Sequence, residues 1–408
     1  MRLIMWKKIK EKTKRFFQEE FRFWEVIILM ILTAVMGVTL GSFVVKKNYG
    51  ISNTSISESL QNFIANYNYI LNNYYGEFDE EELLKKSLQA ILEEIDDPYA
   101  VYMDKNESSN FDIQLSGSYQ GLGVEVGNLL NGGDLIITRV FDNSPAQKVG
   151  LKIGDIITKL NNEIVEGLSG SEFSEKIKKL KGNFNITVVR EDTEFTFNVS
   201  LEKVVLKSVS AETLDNNVGY IYISIFAENT YEQMKKELEN LEKSGMTSLI
   251  IDVRNNTGGY LTSVESILGL FLDSSNIIYQ TEDKTGIKKY YSNGMETKKY
   301  PIVIITNSSS ASASEILTAA LKEQLGAKSV GKTTYGKGSA QKVHSLTDGT
   351  KYKFTTQKWL TPTGLSIDGN GIPVDIEVSL SDKYFEEPNR ENDDHFQAAH
   401  ELITKQKK

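Results

Sequence analysis

The stretch Asn307–Gln341 reads NSSSASASEILTAALKEQLGAKSVGKTTYGKGSAQ. It opens on a run of serines and alanines and closes around Lys337, held between Gly336 and Gly338. A serine hydroxyl becomes a nucleophile only when a neighbouring group takes its proton. Two residues nearby could do so. His344 lies in a stretch that reads as strand, which makes it a strand residue before it is a base. A lysine has an ordinary pKa of about 10.4 and is protonated at neutral pH. Burial away from carboxylates lowers that value, because the charged form is disfavoured. The segment TTYGKGSAQ carries no acid, and the amide of Gln341 can hydrogen-bond a lysine nitrogen without adding charge. Serine-plus-lysine acyl transfer is the chemistry these types and spacings allow; a surface turn lysine is the plain alternative.

Two shorter patterns in the same stretch point elsewhere and fail on context. Gly326–Thr333 matches GxxxxGK[ST], but that motif needs a strand before it and a helix after it, and here the helix comes first. Ser329-Val-Gly-Lys332 matches SxxK, but Ser329 follows the helix instead of opening it, and the one KTG, Lys284–Gly286, precedes the serine.

The elements that must position the serines are legible. Pro301–Thr306 is an apolar run of buried-strand type, and the residues from Glu315 to Leu325 are helical. The serines therefore sit where a strand turns into a helix, which exposes a side chain and aims free helix N–H groups at what binds there. Around this lie a strand at 218–224, a helix at 231–244, a buried strand at 249–253 ending in Arg254-Asn-Asn-Thr-Gly-Gly259, a helix carrying Val264, Ile267, Leu268, Leu270 and Phe271, and a strand at 352–359 before the Thr361–Gly364 turn. That alternation predicts an α/β core.

Composition bounds the rest. The chain has 408 residues, 40% hydrophobic and 25% charged, enough for several domains with real cores. A net charge of −9 argues against nucleic acid as a partner. There is no cysteine, which removes disulfides and thiol chemistry, and only three histidines, with no HExxH; no metal or other cofactor is expected. Val26–Val45 is twenty residues without a charge, long enough to span a hydrocarbon core of about 30 Å at ~1.5 Å per residue. Lys7, Lys8, Lys10, Lys12, Lys14, Arg15 and Arg22 precede it, which places the N-terminus in the cytoplasm and the bulk of the chain outside. From Ile51 to Asp104 apolar residues recur at threes and fours, as in Leu60, Phe63, Ile64, Ile70 and in Leu84, Leu88, Ile91, Leu92, Ile95, until Asp97-Pro98 stops the second helix. This predicts a helical collar or dimerisation arm.

Residues 113–203 form a β-rich module with strands at 135–140, 185–190 and 194–199. Its run Ser144-Pro-Ala-Gln-Lys-Val-Gly-Leu-Lys-Ile-Gly-Asp-Ile-Ile157 resembles a PDZ domain. That resemblance implies peptide binding by strand addition. The turn Gly121, Leu122, Gly123, Val124 would meet a substrate's α-carboxylate, and Phe173, Ile177 and Leu180 on one helix face would take an apolar last side chain. Arg190 reads as a surface arginine, or as a link from this module to the core.

Three motifs carry a second resemblance: N-x-x-S-A-S-A-S-E-I from Asn307, T-x-G-K-G-x-x-Q from Thr334, and D-V-R-N-N-x-G-G from Asp252. With Asp97-Pro-Tyr99 and the Gly371–Val378 stretch, the chain from about residue 55 onward resembles the C-terminal processing peptidases, or tail-specific proteases. The resemblance implies a serine endopeptidase with an inserted PDZ domain, Ser312 as nucleophile, Lys337 as base, Gln341 as its orienting partner, and oxyanion donors from the N–H of Ala313 and of Gly258 or Gly259. The family usually has proline before the two glycines, where this chain has Thr257.

The expected organisation is a multidomain α/β protein: a basic cytoplasmic segment (1–24), a transmembrane helix (25–46), a helical N-terminal arm (47–112), a PDZ domain (113–203), a serine-protease core (204–380) and a C-terminal helical tail (381–408). Its expected partners are proteins with free, apolar C-termini, the lipid bilayer through 26–45, and a second copy through the arm. A membrane-tethered PDZ adaptor on a retired protease fold is the alternative from another class, and a surface assembly factor held by the arm a third.

Overall fold

The computed structural model describes residues 57–128 and 134–405, with Thr33 alone ahead of them. The apolar run 26–45 expected to cross a membrane lies outside the described residues. Among those described, no helix is long and apolar enough to do so.

Helices α1 (Glu58–Asn73) and α2 (Glu80–Glu94) follow the spacing of their apolar residues. Ser57 caps α1, its Oγ accepting from the Leu60 N–H at 3.2 Å. The chain divides after Leu83 into two compact units. In the first, α1 buries none of its residues, and Phe63 and Ile70 stay 53% and 58% exposed. In the second, α2 buries Leu92 and leaves Ile91 and Ile95 exposed. The helical pattern expected up to Asp104 breaks at β1 (Val101–Met103), because these residues pair antiparallel with Lys351–Lys353. Asp104 then opens α3 (Lys105–Ser116) with a reciprocal cap: its carboxylate accepts from the Glu107 N–H at 2.8 Å, and Glu107 accepts from the Asp104 N–H at 2.9 Å.

The β-rich module contains β2 (Ser118–Gly121), β3 (Val124–Asn128), β4 (Leu135–Val140), α4 (Pro145–Val149), β5 (Ile156–Leu160), β6 (Glu163–Ile164), α5 (Gly170–Lys178), β7 (Asn183–Arg190), β8 (Thr193–Ser200) and β9 (Glu202–Val205). Its sheet runs β3-β4-β5-β7-β8, with β6 on β5 and β2 paired separately to β9. Leu135, Ile137, Ile157, Ile186 and Val188 alternate into its core, which Phe173 and Ile177 of α5 close. Arg190 links nothing to another domain. It donates to the fully buried Asp155 at 2.6 and 2.8 Å and to the Gly150 carbonyl at 2.9 Å, a clamp inside the module.

The core follows, with β10 (Val209–Leu214), β11 (Val218–Ile223), α6 (Thr230–Lys243), β12 (Ser248–Asp252), α7 (Leu261–Leu268), β13 (Ile277–Asp283), β14 (Gly286–Tyr291), β15 (Ile302–Thr306), α8 (Ala313–Leu325), β16 (Lys328–Gly331), β17 (Ser339–Ser345), β18 (Lys351–Leu360), β19 (Ile376–Glu377), α9 (Asp382–Glu386) and α10 (Asp394–Lys405). One sheet runs β10-β11-β12-β15-β16-β19 and is parallel from β11 onward. Its central strands β12 and β15 are buried along their whole length and mostly apolar, as a parallel sheet covered by helices requires. Leu249, Ile251, Ile302 and Ile304 pack with α6, α7 and α8. Ile250, Val303 and Ile305 pack with Phe396, Ala399 and Ile403 of α10. The segment expected to be a tail is therefore a covering layer of the core. A second, antiparallel sheet holds β1-β18-β13-β14, with β17 on β18. The GxxxxGKT run does no phosphate chemistry here: Gly326 is the left-handed cap that ends α8, β16 follows it, and Lys332 pairs with Glu377 at 3.1 Å.

Candidate active site

The loops after β12 and β15 are sewn to each other at the carboxyl ends of the parallel strands. Ser310 Oγ donates to the Val253 carbonyl at 2.8 Å and accepts from the Asn307 N–H at 3.0 Å. Ser314 Oγ donates to the Asn256 carbonyl at 2.8 Å, and the Ala311 N–H reaches the same oxygen at 3.0 Å. Both of these serines are fully buried, whereas Ser312 between them is half-buried and opens on a cleft. Ser312 stands at φ 55°, ψ −113°, immediately before α8. A positive φ on a residue with a Cβ stores about 1–3 kcal/mol of strain, which the stitching around it holds in place.

Gly258 and Gly259 come from the loop after β12, at φ 109° and 144°. A Cβ on Gly258 would lie 2.8 Å from Ser312 Cβ, and one on Gly259 would lie 2.2 Å from the Phe226 carbonyl oxygen, so neither position accepts a side chain. Their N–H groups differ. That of Gly258 donates to Asn256 Oδ1 at 2.9 Å; that of Gly259 has no partner among the described residues. The N–H of Ala313, the first of α8, also has no partner among the described residues. Thr257 is exposed, and the loop is pinned instead by the buried Asn256, whose Nδ2 donates to the Ile223 carbonyl at 2.9 Å.

Lys337 arrives on the loop between β16 and β17. Its backbone is fixed by Trp359 Nε1, which donates to the Lys337 carbonyl at 2.6 Å. The more telling contact comes from Glu315, fully buried in the first turn of α8. One carboxylate oxygen accepts from the N–H groups of Ser312 at 2.7 Å and Lys337 at 3.0 Å; the other accepts from Thr334 Oγ1 at 2.7 Å and the Gly336 N–H at 2.6 Å. One side chain thus ties the serine turn to the lysine loop. Burial pushes this carboxyl above its ordinary range, and the four donors oppose the rise.

The Lys337 ammonium lies 4.6 Å from the centre of the Tyr99 ring. It makes no hydrogen bond with Ser312 or Gln341. Gln341 lines the same cleft, its Nε2 donating to Ser339 Oγ at 2.9 Å and Thr355 Oγ1 at 3.2 Å, and no bond joins its amide to the lysine. Tyr99 is held by the neighbouring Asp97, which accepts from the Thr355 N–H at 2.7 Å and its hydroxyl at 3.0 Å. Burial lowers the Lys337 pKa from its ordinary value, and the positive charge of Lys353 adds to this, against the pull of Glu315 and Asp97.

The cleft has a volume of about 620 Å³ and gathers Ser312, Lys337, Gln341, Gly258, Gly259 and Lys353. His344 is outside it, on β17, stacked on Tyr352 at 5.1 Å. The deeply buried histidine is His395, on the other face of the sheet, its Nε2 at 3.0 Å from the Val378 carbonyl oxygen. Sequence reasoning missed Glu315, though S-x-x-E at a helix start is a readable signal for a cap. It also missed Lys353, Tyr99 and Thr355, which no spacing brings together.

A second groove, about 390 Å³, belongs to the β-rich module and is lined by Gly121, Leu122, Gly123, Val124, Phe173 and Ile177. Strand β3 is at its sheet's edge, leaving a backbone row to which a strand could add. Leu180 lies beyond the end of α5 and packs on the module's core instead of lining the groove. Helix α3 is shared: Asn110 and Ile113 face this groove, and Phe111, Gln114 and Leu115 face the cleft of Ser312.

Three segments match known families: residues 217–378 the peptidase family S41, 120–201 the PDZ domain, and 41–107 the N-terminal domain of the activating protease CtpB. The carboxy-terminal processing protease CtpB of Bacillus subtilis (strain 168) is 40% identical over 78% of this chain and 67% of its own length. CtpA of the same organism is 31% identical over 88% of this chain and 78% of its own length. A probable CtpA-like serine protease of Staphylococcus aureus (strain COL) is 32% identical, over 90% and 74%. The fold and these matches define a serine peptidase carrying a PDZ domain. The chain belongs to peptidase family S41, among the carboxy-terminal processing proteases.

Proposed function

We propose that this chain is a membrane-anchored endopeptidase that cleaves extracytoplasmic proteins near their C-termini with a Ser312–Lys337 dyad. The observation that carries the reading is the strained Ser312 opening on the cleft that also holds Lys337, the two backbones tied by Glu315. Lys337 as a neutral amine takes the Ser312 proton as Oγ attacks the peptide carbonyl, and returns it to the leaving amine; water then releases the acyl group by the same route. The free N–H groups of Gly259 and Ala313 favour these two as oxyanion donors, since Gly258 is already engaged. Gln341 orients the lysine once the ammonium leaves the Tyr99 ring. A substrate's free C-terminus adds as a strand beside β3, its carboxylate on the Gly121–Val124 turn and its last apolar side chain against Phe173 and Ile177. The charge-free run 26–45 anchors the chain, with residues 1–24 in the cytoplasm and the catalytic part outside. The exposed apolar face of α1 pairs with a second copy.

The test is cleavage of a loosely folded protein by wild type, Ser312→Ala and Lys337→Arg. Both variants should be inactive, the second although it keeps the charge, because guanidinium does not release its proton. Wild-type activity should rise with pH through a lysine titration below the ordinary lysine value. Turnover by Lys337→Arg would remove lysine as the base.

A further inference from the structure

Two ammonium groups share the cleft, and neither touches a carboxylate. Lys337 lies over Tyr99, and Lys353, on β18, lies over Phe111 of α3 at 5.4 Å from the ring centre. The Lys353 ammonium makes no hydrogen bond or ion pair with any described residue. With Lys342 the cleft is lined by three lysines and by no aspartate or glutamate. An unpaired, half-buried lysine serves neither the fold nor solubility well, since burial disfavours its charge. The acids around the Lys337 loop come from three elements. Glu315 of α8 spends its oxygens on the four donors given above. Asp97 spends its own on Thr355 and on the Tyr99 N–H at 3.0 Å. Asp368, in the loop after β18, accepts from the Gly338 N–H at 3.2 Å. The Tyr99 ring faces the ammonium, and the Tyr335 side chain meets Tyr99. Glu315 and Asp97 favour a protonated Lys337; among the charged side chains, Lys353 opposes them.

We propose that Lys353 is a positioning charge for the reaction, its unpaired ammonium making the cleft a place where a second positive charge is disfavoured, so that Lys337 meets Ser312 as a neutral amine. This rests on Lys337 being the base. Burial works on both lysines alike, but only the charge of Lys353 can be removed without changing the depth at which Lys337 lies. The sign follows: deleting a neighbouring positive charge raises the proton affinity of Lys337 and moves the acid limb of the pH–rate profile to higher pH.

The experiment measures kcat and KM against pH for the full chain and for Lys353→Met, Lys353→Arg and Asp97→Asn, on one peptide with glutamate and one with glutamine beside the scissile bond. Methionine suits the lysine stem's apolar bed. The Met variant should lose roughly three- to ten-fold in kcat at neutral pH and regain it as the pH rises. The Arg variant, keeping the charge, should follow the wild-type limb. Asp97→Asn should move the limb the opposite way. An acid limb that stays put in Lys353→Met overturns the proposal, whatever the loss of rate. So does a rise in KM confined to the glutamate peptide, which would make Lys353 a substrate carboxylate site. An active Lys337→Arg enzyme removes the base reading and this proposal with it. An inactive one beside an unmoved limb removes the proposal alone.

Discussion

Replacing Glu315 by glutamine changes one oxygen into an NH2 group at the point where the serine turn and the lysine loop are joined. The carboxylate now accepts four hydrogen bonds, two on each oxygen. An amide keeps one accepting oxygen and turns a donor toward the other two donors. Whichever way it rotates, it surrenders either the Ser312 and Lys337 N–H groups or the Thr334 hydroxyl and the Gly336 N–H. Hydrogen bonds to a charged group contribute about 1.5–3 kcal/mol each, so two cost about 3–6 kcal/mol. Part is recovered. Burial raises the Glu315 pKa above its unfolded value, so at pH above that unfolded value ionisation works against the folded state, and a neutral amide is relieved of it. A net loss of about 2–4 kcal/mol is expected. Urea unfolding of the core reads the stability, and kcat for a peptide, with the rate of covalent labelling by a serine-directed phosphonate, reads the site. We expect lower stability together with at least a ten-fold fall in kcat and in labelling, about 1.4 kcal/mol in the barrier. Glu315→Asp should not rescue it, because the shorter side chain cannot reach both loops. Wild-type stability and wild-type kcat in Glu315→Gln would show that the four contacts do not hold the two loops in register, and the coupling of serine to lysine would need another origin.

Gly258→Ala should keep the circular dichroism of the wild type and lose roughly a hundred-fold or more in kcat, because its methyl would lie 2.8 Å from Ser312 Cβ at a φ of 109°; near-normal turnover would mean the loop has slack. Ser310→Ala and Ser314→Ala should each cost about 1–3 kcal/mol in urea unfolding, for a backbone carbonyl left without its buried hydroxyl donor, while retaining measurable turnover. If Ser310→Ala abolishes turnover and Ser312→Ala does not, the assignment of the nucleophile is wrong by one S-A step. A free-acid peptide with an apolar end should bind the Ser312→Ala chain about ten-fold or more tighter than its C-terminal amide; equal affinities in a titration would leave the PDZ domain as a steric lid or spacer.

The α/β core is readable because its two central strands are dominated by apolar residues: Leu249, Ile250, Ile251 and Val253, and Ile302 to Ile305, favour burial on both faces, and their helices carry apolar residues at threes and fours. The hairpin β13–β14 and the short strand β1 escaped notice. Strand β1 has only three residues and its partner lies far off in sequence, Val101 opposite Lys353, while β14 is exposed along most of its length. The C-terminal helix was read as a tail because its apolar residues are few. Phe396, Ala399 and Ile403 become core only where a sheet face is left open for them. At the site, the family resemblance brought out Ser312, Lys337 and Gln341, yet the bond expected between the last two is not formed, and the contacts around them run through a residue no motif supplies. Thr355 of β18 holds Asp97 and takes the Gln341 amide at once. Asp97 in turn fixes the backbone of Tyr99, on whose ring the lysine rests. Lysine and glutamine are therefore parted by contacts that meet at one threonine, on a strand that pairs with both the lysine's own sheet partner β17 and the segment before the PDZ domain. Closing the dyad requires the lysine to give up a cation–π contact of about 0.5–2 kcal/mol, whereas the glutamine can keep its two Nε2 bonds and accept with its free Oε1. A bound peptide that repaid that contact would be enough to complete the site.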